Sequence, residues 1–430
     1  MNRTANQPYQ SSLALGTLCL LAWRNLWRHK RRTFITLFSI AIGFGLSVFS
    51  IGLQDSAHNS MVKNAIKMGD GHITIQHHEY LDSPANYRFI EQGEALVDKL
   101  SSLSLPAEII PRVSLQALAS TANNSVGIQL QGISINNDPL KKLLNDSIIE
   151  GQWDITKYEQ GLIIGEGMAK KLKVSIGSKI ILMAGKQGGE SESHLGRVRG
   201  IFKSGIDELD KYLVISTLSF AQRFLYAEGA SPNYFPITKI AVFIDDNKQL
   251  EAIHTQITSE VLFDNISILT WQEVMPQLVQ YIIVDDIGSY IMQIFILFII
   301  LFSIVNTILM SVLERTREFG LLRALGLNKS YLIILVLIET FFLSSLSVIF
   351  GWLLGGGIHW YVASYGIDFS NLIPEGTTFA GTFMDTIIYS ELSSKRVFQL
   401  TSIVFFTTLT LGIYPALKAA RIQPIEALRT

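Results

Sequence analysis

The sequence predicts an α-helical membrane protein with four transmembrane helices and a large mixed α/β extracytoplasmic domain inserted between helices 1 and 2. Three observations predict it: charged residues are scarce, four apolar runs are long enough to cross a bilayer, and basic residues gather on one side of those runs when the chain is threaded through them. Of 430 residues, 48% are hydrophobic and 17% are charged, against about 25% charged in soluble domains. Mean hydropathy is positive. The formal net charge of -1 provides no global attraction for nucleic acid, and none is expected as a partner.

A spanning helix needs about 20 apolar residues to cross roughly 30 Å of hydrocarbon. Residues 33–53, 287–313, 331–358 and 397–417 qualify, with Pro415 and a charged tail ending the last. Charges sit at the flanks of these runs, which argues against core helices of a soluble protein. The exception is Glu339. An ionisable group inside a span is costly and usually paired with other protein, yet Glu339 lies only about 12 Å along the helix from Tyr331, within snorkelling range of the interface. Arg24, Arg28, Lys30, Arg31 and Arg32 precede the first span, Arg315, Arg317, Arg323 and Lys329 lie between the second and third, and Lys418, Arg421 and Arg429 follow the fourth. The excess of lysine and arginine in cytoplasmic loops then puts both termini in the cytoplasm. Lys63, Lys67, Lys395 and Arg396 are the dissenting minority. The expected organisation is a cytoplasmic N-terminus (1–32), an extracytoplasmic domain (54–286), a cytoplasmic segment (314–330), an outer loop (359–396) and a cytoplasmic tail (418–430).

Residues 13–27 are apolar but short, and carry Arg24. They read as an amphipathic helix lying in the interface with Trp23 and Trp27 at headgroup level, or as a continuation of the first span bent at the surface. The basic cluster follows this stretch and Leu18 precedes Cys19, which fits neither a cleaved signal peptide nor a lipoprotein signal. A single cysteine forms no intramolecular disulfide and no metal cluster. Small residues recur at four-residue spacing: Ser39, Gly43 and Ser47, then Ser303, Thr307 and Ser311, then Ser347, Gly351 and Gly355. Such stripes let helix backbones approach closely in lipid, within one subunit or between two.

The outer segment alternates strand-like and helix-like stretches. Residues 72–76, 127–132, 179–183, 197–202, 212–216 and 239–244 read as strands. Residues 168–173, 218–226, 249–261 and 271–281 read as helices, and the polar stretch 186–193 as an exposed loop. His72, His77 and His78 are read as a solvated strand end, because they lack the companion ligands of a metal site. Asp207, Glu208, Asp210 and Lys211 read as a turn with local ion pairs. No G-x-S-x-G, H-E-x-x-H or G-x-x-x-x-G-K-[ST] motif occurs, so no enzyme site is visible and any ATP must be bound by another chain.

The segment from Glu314 to Gly326, E-R-T-R-E-F-G-L-L-R-A-L-G, combines helical ion-pair spacing with an expected apolar ridge of Phe319, Leu322 and Leu325. It resembles the coupling segment of the FtsX-like, MacB-type (type VII) ABC transporter permease family. The run Y-P-A-L-K-A-A-R-I-Q-P-I-E-A-L-R from Tyr414 to Arg429 is similar to that family's ending. Gly165, Glu166, Gly167, Met168 and Ala169, with Leu172 and Gly177, resemble the outer domain of the lipoprotein-releasing LolC and LolE members, and Glu339 matches a glutamate early in the family's third span.

The resemblance implies porter-like and sabre-like outer lobes and a second permease subunit, identical or homologous. It also implies two ATPase subunits that carry ATP and magnesium, with no cofactor in this chain. Glu314, Arg315, Arg317, Glu318, Phe319, Leu322, Arg323 and Leu325 would dock the ATPase, whose closure moves the outer domains mechanically. Chain length points to the LolC/LolE branch of the bacterial inner membrane, releasing lipoprotein or another lipophilic substrate, with a periplasmic carrier or adaptor as a further partner. The alternative is a MacB-like efflux permease or a mechanotransmission subunit. A non-transporting membrane sensor would not require the coupling segment.

Overall fold

The backbone of a bilayer-spanning segment must satisfy its own hydrogen bonds, so the apolar runs form helices. The computed structural model describes residues 15–421, apart from 136, 154, 187–189, 227–233, 262, 264, 373–377, 379–381 and 383–384. The chain begins with helices α1 (Leu15–Arg28) and α2 (Lys30–Met68). An outer domain follows, made of β1 (Ile73–His77), α3 (Gly93–Ser102), β2 (Ala107–Ser120), β3 (Ser125–Ile133), α4 (Pro139–Leu144), β4 (Ile148–Gly151), β5 (Gly161–Gly165) and α5 (Glu166–Leu172). It continues through β6 (Lys179–Gly185), β7 (Ser191–Phe202), α6 (Asp207–Tyr212), β8 (Leu213–Thr217), α7 (Leu218–Gln222), β9 (Lys239–Ile244), α8 (Leu250–Glu260), β10 (Ile266–Thr270) and α9 (Trp271–Val274). Helices α10 (Pro276–Glu314), α11 (Thr316–Ala324) and α12 (Lys329–Tyr365), strands β11 (Ile367–Asp368) and β12 (Ile387–Ile388), and helices α13 (Ser394–Leu411) and α14 (Ile413–Ala420) complete the chain. Two units result, one comprising 1–58, 284–368 and 387–430, the other 59–283 and 369–386.

In the helical unit, four helical segments among the described residues have spanning length and composition: Lys30–Met68, Pro276–Glu314, Lys329–Tyr365 and Ser394–Ala420. Helices α2 and α10 have 39 residues each, about 58 Å at 1.5 Å per residue, well beyond a hydrocarbon core. The small-residue stripes serve packing inside this chain. A Cβ at Gly351 of α12 would stand 2.4 Å from Phe44 Cδ1, and one at Gly355 would stand 2.8 Å from Gly45 Cα, so α2 and α12 touch backbone to backbone. A Cβ at Gly43 would stand 2.9 Å from Ile300 Cδ1 on α10. Thr36 Oγ1 donates to Thr307 Oγ1 at 2.7 Å, while Ser47 and Ser347 donate to carbonyls of their own helices. Ser39, Ser303 and Ser311 are half-buried.

One helix end differs from the expected one. The fourth span does not stop at Pro415; it breaks at Gly412, where any Cβ would lie 2.6 Å from Thr340 Cγ2. Pro415 sits in the first turn of α14, where backbone N–H groups have no intrahelical acceptor and a missing donor costs little. The N-terminal helix breaks at His29 and packs on α12: Leu18 and Ala22 are buried with Leu332, Leu335 and Val336, and Trp23 meets Phe342 edge to face at 5.5 Å.

The outer domain is two nested lobes. Strands β1, β2, β9 and β10 with α3 and α8 form a βαββαβ unit in the order β10-β1-β9-β2, every neighbour antiparallel, which is the ferredoxin-like split βαβ arrangement. Between β2 and β9 the chain builds the second lobe. There β2, β3, β8, β5, β7 and β6 pair in a ring that returns to β2, with β4 added on β7. Alternate residues Val113, Leu115, Ala117 and Ala119 of β2, Val126, Ile128 and Leu130 of β3, and Ile180, Leu182 and Ala184 of β6 fill its core. Met168, Ala169 and Leu172 of α5 join that core. Gly165 and Gly167 permit it, because a Cβ on Gly165 would collide with the Asp210 backbone of α6 at 2.3 Å.

Several sequence expectations need correction here. Strand β2 was not expected; Pro111 interrupts its pattern, yet it lies where β2 is the edge of the first lobe, the position that tolerates a missing N–H. The helix expected over 271–281 divides at Met275, because Pro276 disfavours a helical residue before it. Of the expected loop 186–193, residues 191–193 are strand paired with β6, and 187–189 lie outside the described residues. His72 is half-buried, its Nδ1 accepting from Ile244 N at 3.0 Å.

The lobes meet at Arg112, the last β2 residue paired with β9. Its guanidinium donates twice to Asp138, Nε to Oδ2 at 2.8 Å and Nη2 to Oδ1 at 2.5 Å, and Nη1 donates to Gly69 O. Asp138 also caps α4 through Leu140 N at 2.8 Å. Both charges are buried. Arg112→Ala strands the carboxylate and should cost about 3–5 kcal/mol, read as a lowered thermal transition of the purified chain. The double substitution Arg112→Met, Asp138→Leu should recover most of that loss.

Candidate functional site

Helix α10 ends at Glu314, and the chain turns at Arg315 to begin α11. Helix α11 closes at Leu325 and Gly326; Gly326 has φ +94°, and Leu327 N bonds back to Leu322 O at 3.1 Å. The Asn328 side chain then accepts from Ser330 N to start α12. A charged network surrounds this short helix. Arg315, 8% exposed, donates through Nη1 to Glu339 Oε1 at 2.9 Å and through Nε to Glu318 Oε2 at 3.1 Å. Asn25 Nδ2 donates to the same Glu339 oxygen at 2.7 Å. Arg28 Nη1 meets Glu318 Oε1 at 2.5 Å, and Arg32 Nη1 meets Glu314 Oε2 at 2.8 Å. Burial raises the Glu318 pKa, but hydrogen bonds from Arg28 and Arg315 outweigh it and hold the carboxyl below its usual range. Glu339 is therefore engaged by protein on two sides.

At 100° per residue the two faces of α11 separate, and this overturns one expectation. Phe319 is 0% exposed, packed with Ile308, Val312 and Leu332 and under the Arg315 guanidinium at 4.9 Å. Leu322 is partly buried against the same cluster. The ridge therefore does not face outward as a whole: Phe319 belongs to the helical core, while Leu321 at 52% and Leu325 at 78% are exposed beside Arg317. Leu321 lies outside the 319, 322, 325 spacing of the expected ridge, so that pattern does not mark it. Arg323 Nη1 bonds Ala420 O at 3.4 Å, tying α11 to α14. Residues 422–430, which complete the expected terminal motif, lie outside the described residues.

A second polar tie joins the other ends of these helices. Arg396 Nη2 meets Asp286 Oδ1 at 3.1 Å and Arg396 Nε meets Asp55 Oδ1 at 3.6 Å, linking α13, α10 and α2. Gln54 and His58 both bond Asp285 Oδ2, at 2.8 and 2.9 Å. Arg396 dissented from the basic-residue pattern; its two carboxylate partners explain why it carries little topological information. Among the described residues no group of three or more His, Cys, Asp or Glu is arranged to hold a metal ion.

The family model described as the MacB-like periplasmic core domain matches residues 33–260, more than half of the chain, and that of the FtsX-like permease C-terminal matches 290–424. The chain belongs to the FtsX-like, MacB-type permease family. It is 22% identical over 427 residues to the lipoprotein-releasing system transmembrane protein LolC of Neisseria meningitidis, covering 95% of this chain and 99% of that one. It is also 22% identical over 425 residues to LolE of Haemophilus influenzae, covering 96% and 99%. A 127-residue stretch is 36% identical to the macrolide export ATP-binding/permease protein MacB of Chlorobium luteolum, covering 30% of this chain and 16% of that protein. The protein is thus an ABC transporter permease of the LolC/LolE/MacB type, a multi-pass membrane protein with a periplasmic-type domain.

Within this permease, Asn25, Arg28 and Arg32 are site residues that the sequence reading did not single out. The available signal was charge complementarity: the basic cluster at 24–32 and the acids Glu314, Glu318 and Glu339 fall at the same side of the spans. The division of α11 into two faces is testable. Phe319→Ala should cost about 3–5 kcal/mol, whereas Leu321→Ala should stay within about 0.5 kcal/mol, compared by thermal unfolding of the purified permease.

Proposed function

We propose that this permease couples ATP hydrolysis by a separate ATPase, present in two copies, to movement of its outer domain, and that α11 is where the ATPase docks. The observation that carries this reading is the pairing of opposite faces on one short helix. Arg315, Glu318 and Phe319 anchor it to α1, α10 and α12, while Arg317, Leu321 and Leu325 remain exposed. An exposed apolar pair beside a cation suits a groove in a partner, and the anchored face would pass the partner's displacement to two spans at once. Glu314 and Glu318 would orient α11 rather than touch the ATPase, since arginines of the chain already bond both.

In this reading a second permease subunit, identical or homologous, completes the transporter in the bacterial inner membrane, and α11 and both termini face the cytoplasm. The cargo is a lipoprotein or another lipophilic molecule taken from the membrane, passed to a periplasmic carrier or adaptor. Near-complete coverage in the LolC and LolE matches supports that cargo. MacB-like efflux is the second reading, supported by the higher identity in the 127-residue stretch.

The docking reading predicts that the chain purified alone hydrolyses no ATP, and that Leu321→Asp or Leu325→Glu lowers co-purification of the ATPase at least fivefold without changing thermal stability. Undiminished capture by both variants would remove α11 as the docking element. For the cargo, depletion of the permease should retain acylated proteins in the inner membrane. Normal lipoprotein sorting, with raised sensitivity to a small toxic amphiphile, would select efflux instead.

A further inference from the structure

Helix α1 divides into three sides. Leu18, Ala22 and Leu26 are buried against the spans, and Asn25 and Arg28 reach Glu339 and Glu318. The remaining side carries Leu20, Trp23 and Arg24, all exposed, with Trp27 half-buried beside them. From it an aromatic run continues down α2, with ring centres 5.8 Å apart from Trp23 to Trp27, 5.7 Å from Trp27 to Phe34 and 6.3 Å from Phe34 to Phe38. Arg31, Phe34, Phe38 and Ile42 are all exposed, and their spacings of three and four place them on one face of α2. From Arg31 to Ile42 is about 16 Å at 1.5 Å per residue. That is close to the depth of one leaflet, half of a hydrocarbon core of roughly 30 Å.

The charge beside this stripe is unbalanced. The nearby acids are already committed: Arg32 bonds Glu314, Arg28 and Arg315 bond Glu318, and Arg315 bonds Glu339. Arg24, Lys30 and Arg31 are exposed, and their side chains have no ion pair or hydrogen bond among the described residues. Free cations thus stand at the head of an apolar, aromatic face. A soluble anion would use the cations and leave that face bare. An apolar helix of another subunit would use the face and leave the cations without counter-charge. A phospholipid with a net negative head carries both parts, and in this order.

We propose that the elbow between α1 and α2 holds an anionic phospholipid of the bilayer, its phosphate among Arg24, Lys30 and Arg31 and an acyl chain along Trp27, Phe34, Phe38 and Ile42. Each lysine or arginine beside an anionic bilayer surface strengthens attachment about fivefold, and tryptophan favours headgroup depth. Because Asn25 and Arg28 tie the same helix to α12 and α11, the lipid steadies the elbow against which α11 rests. Such binding is independent of whether α11 docks an ATPase and of what the cargo is.

The test is quenching of tryptophan fluorescence in the full chain, held in phosphatidylcholine nanodiscs that carry a rising fraction of phosphatidylglycerol with brominated acyl chains. Brominated phosphatidylcholine at the same fractions reports ordinary lipid contact. The wild type should reach half-maximal quenching at a several-fold lower fraction of the anionic lipid, and the double substitution Trp23→Phe, Trp27→Phe should remove that selective part. The triple substitution Arg24→Gln, Lys30→Gln, Arg31→Gln should bring the two lipids to the same curve with the thermal transition unchanged. Lys329→Gln, on α12 and outside the aromatic run, should keep the selectivity. Equal quenching of the wild type by both lipids would overturn the anionic lipid as occupant. Wild-type selectivity in the folded triple variant, or an equal loss in Lys329→Gln, would overturn the elbow as its site. Selective quenching that survives without Trp23 and Trp27 would do the same.

Discussion

Removing an arginine and a glutamate from water separately costs several kcal/mol each, and the cost is offset only when the two charges meet with good geometry and further hydrogen bonds. Arg315 and Glu339 meet at 2.9 Å, with Asn25 and Glu318 completing the set. Because the pair spans the turn between α10 and α11 and the first part of α12, its geometry constrains three helices together. It orients Arg315 over the Phe319 ring, which places Phe319 in the helical core and leaves Leu321 and Leu325 outside. The two-sided character of α11 is thus a consequence of where one buried charge finds its partner. The N-terminal helix joins the same constraint through Asn25 and Arg28.

The helical unit is closed by polar ties at both ends and by near-contact of backbones between them. Arg396 between Asp55 and Asp286 performs at one end what Arg315 performs at the other. Between the ties, Gly45, Gly351 and Gly355 bring α2 and α12 together. In lipid there is no hydrophobic gain from helix association, so close packing and hydrogen bonding carry it. By contrast α10 exposes Phe295, Phe298, Ile299 and Phe302, each more than half accessible in the single chain.

Nested insertion explains how a domain of more than two hundred residues fits between two consecutive spans. The first and last strands of the outer domain, β1 and β10, pair with each other, so the chain enters and leaves at adjacent points. The same holds inside it: β2 leads into the ring of strands and β9 leads out, and these two are paired. An insertion whose ends are neighbours leaves the host fold undisturbed. Arg112 and Asp138 sit where the inner lobe begins, and their buried pair fastens it to the end of α2 through Gly69.

Local patterns in the sequence determined the four helices, the alternation of strands and helices outside, and the charged character of α11, because hydropathy runs and two-residue periodicity depend only on near neighbours. The E-R-T-R-E and terminal motifs carried the family for the same reason. The fate of Phe319 was not legible: helical periodicity shows which residues share a face, and only the packed neighbours decide which face is inward. Strand β2 was hidden by Pro111, whose tolerance depends on an edge position that exists only once β9 has paired. That only glycine fits at 412 likewise depends on Thr340, far away in sequence, which leaves no room for a side chain there. Asn25, Arg28 and Arg32 reach acids roughly three hundred residues away. Only the tertiary structure selects which of the available carboxylates each one meets, since like-charged candidates are interchangeable until distance and burial distinguish them.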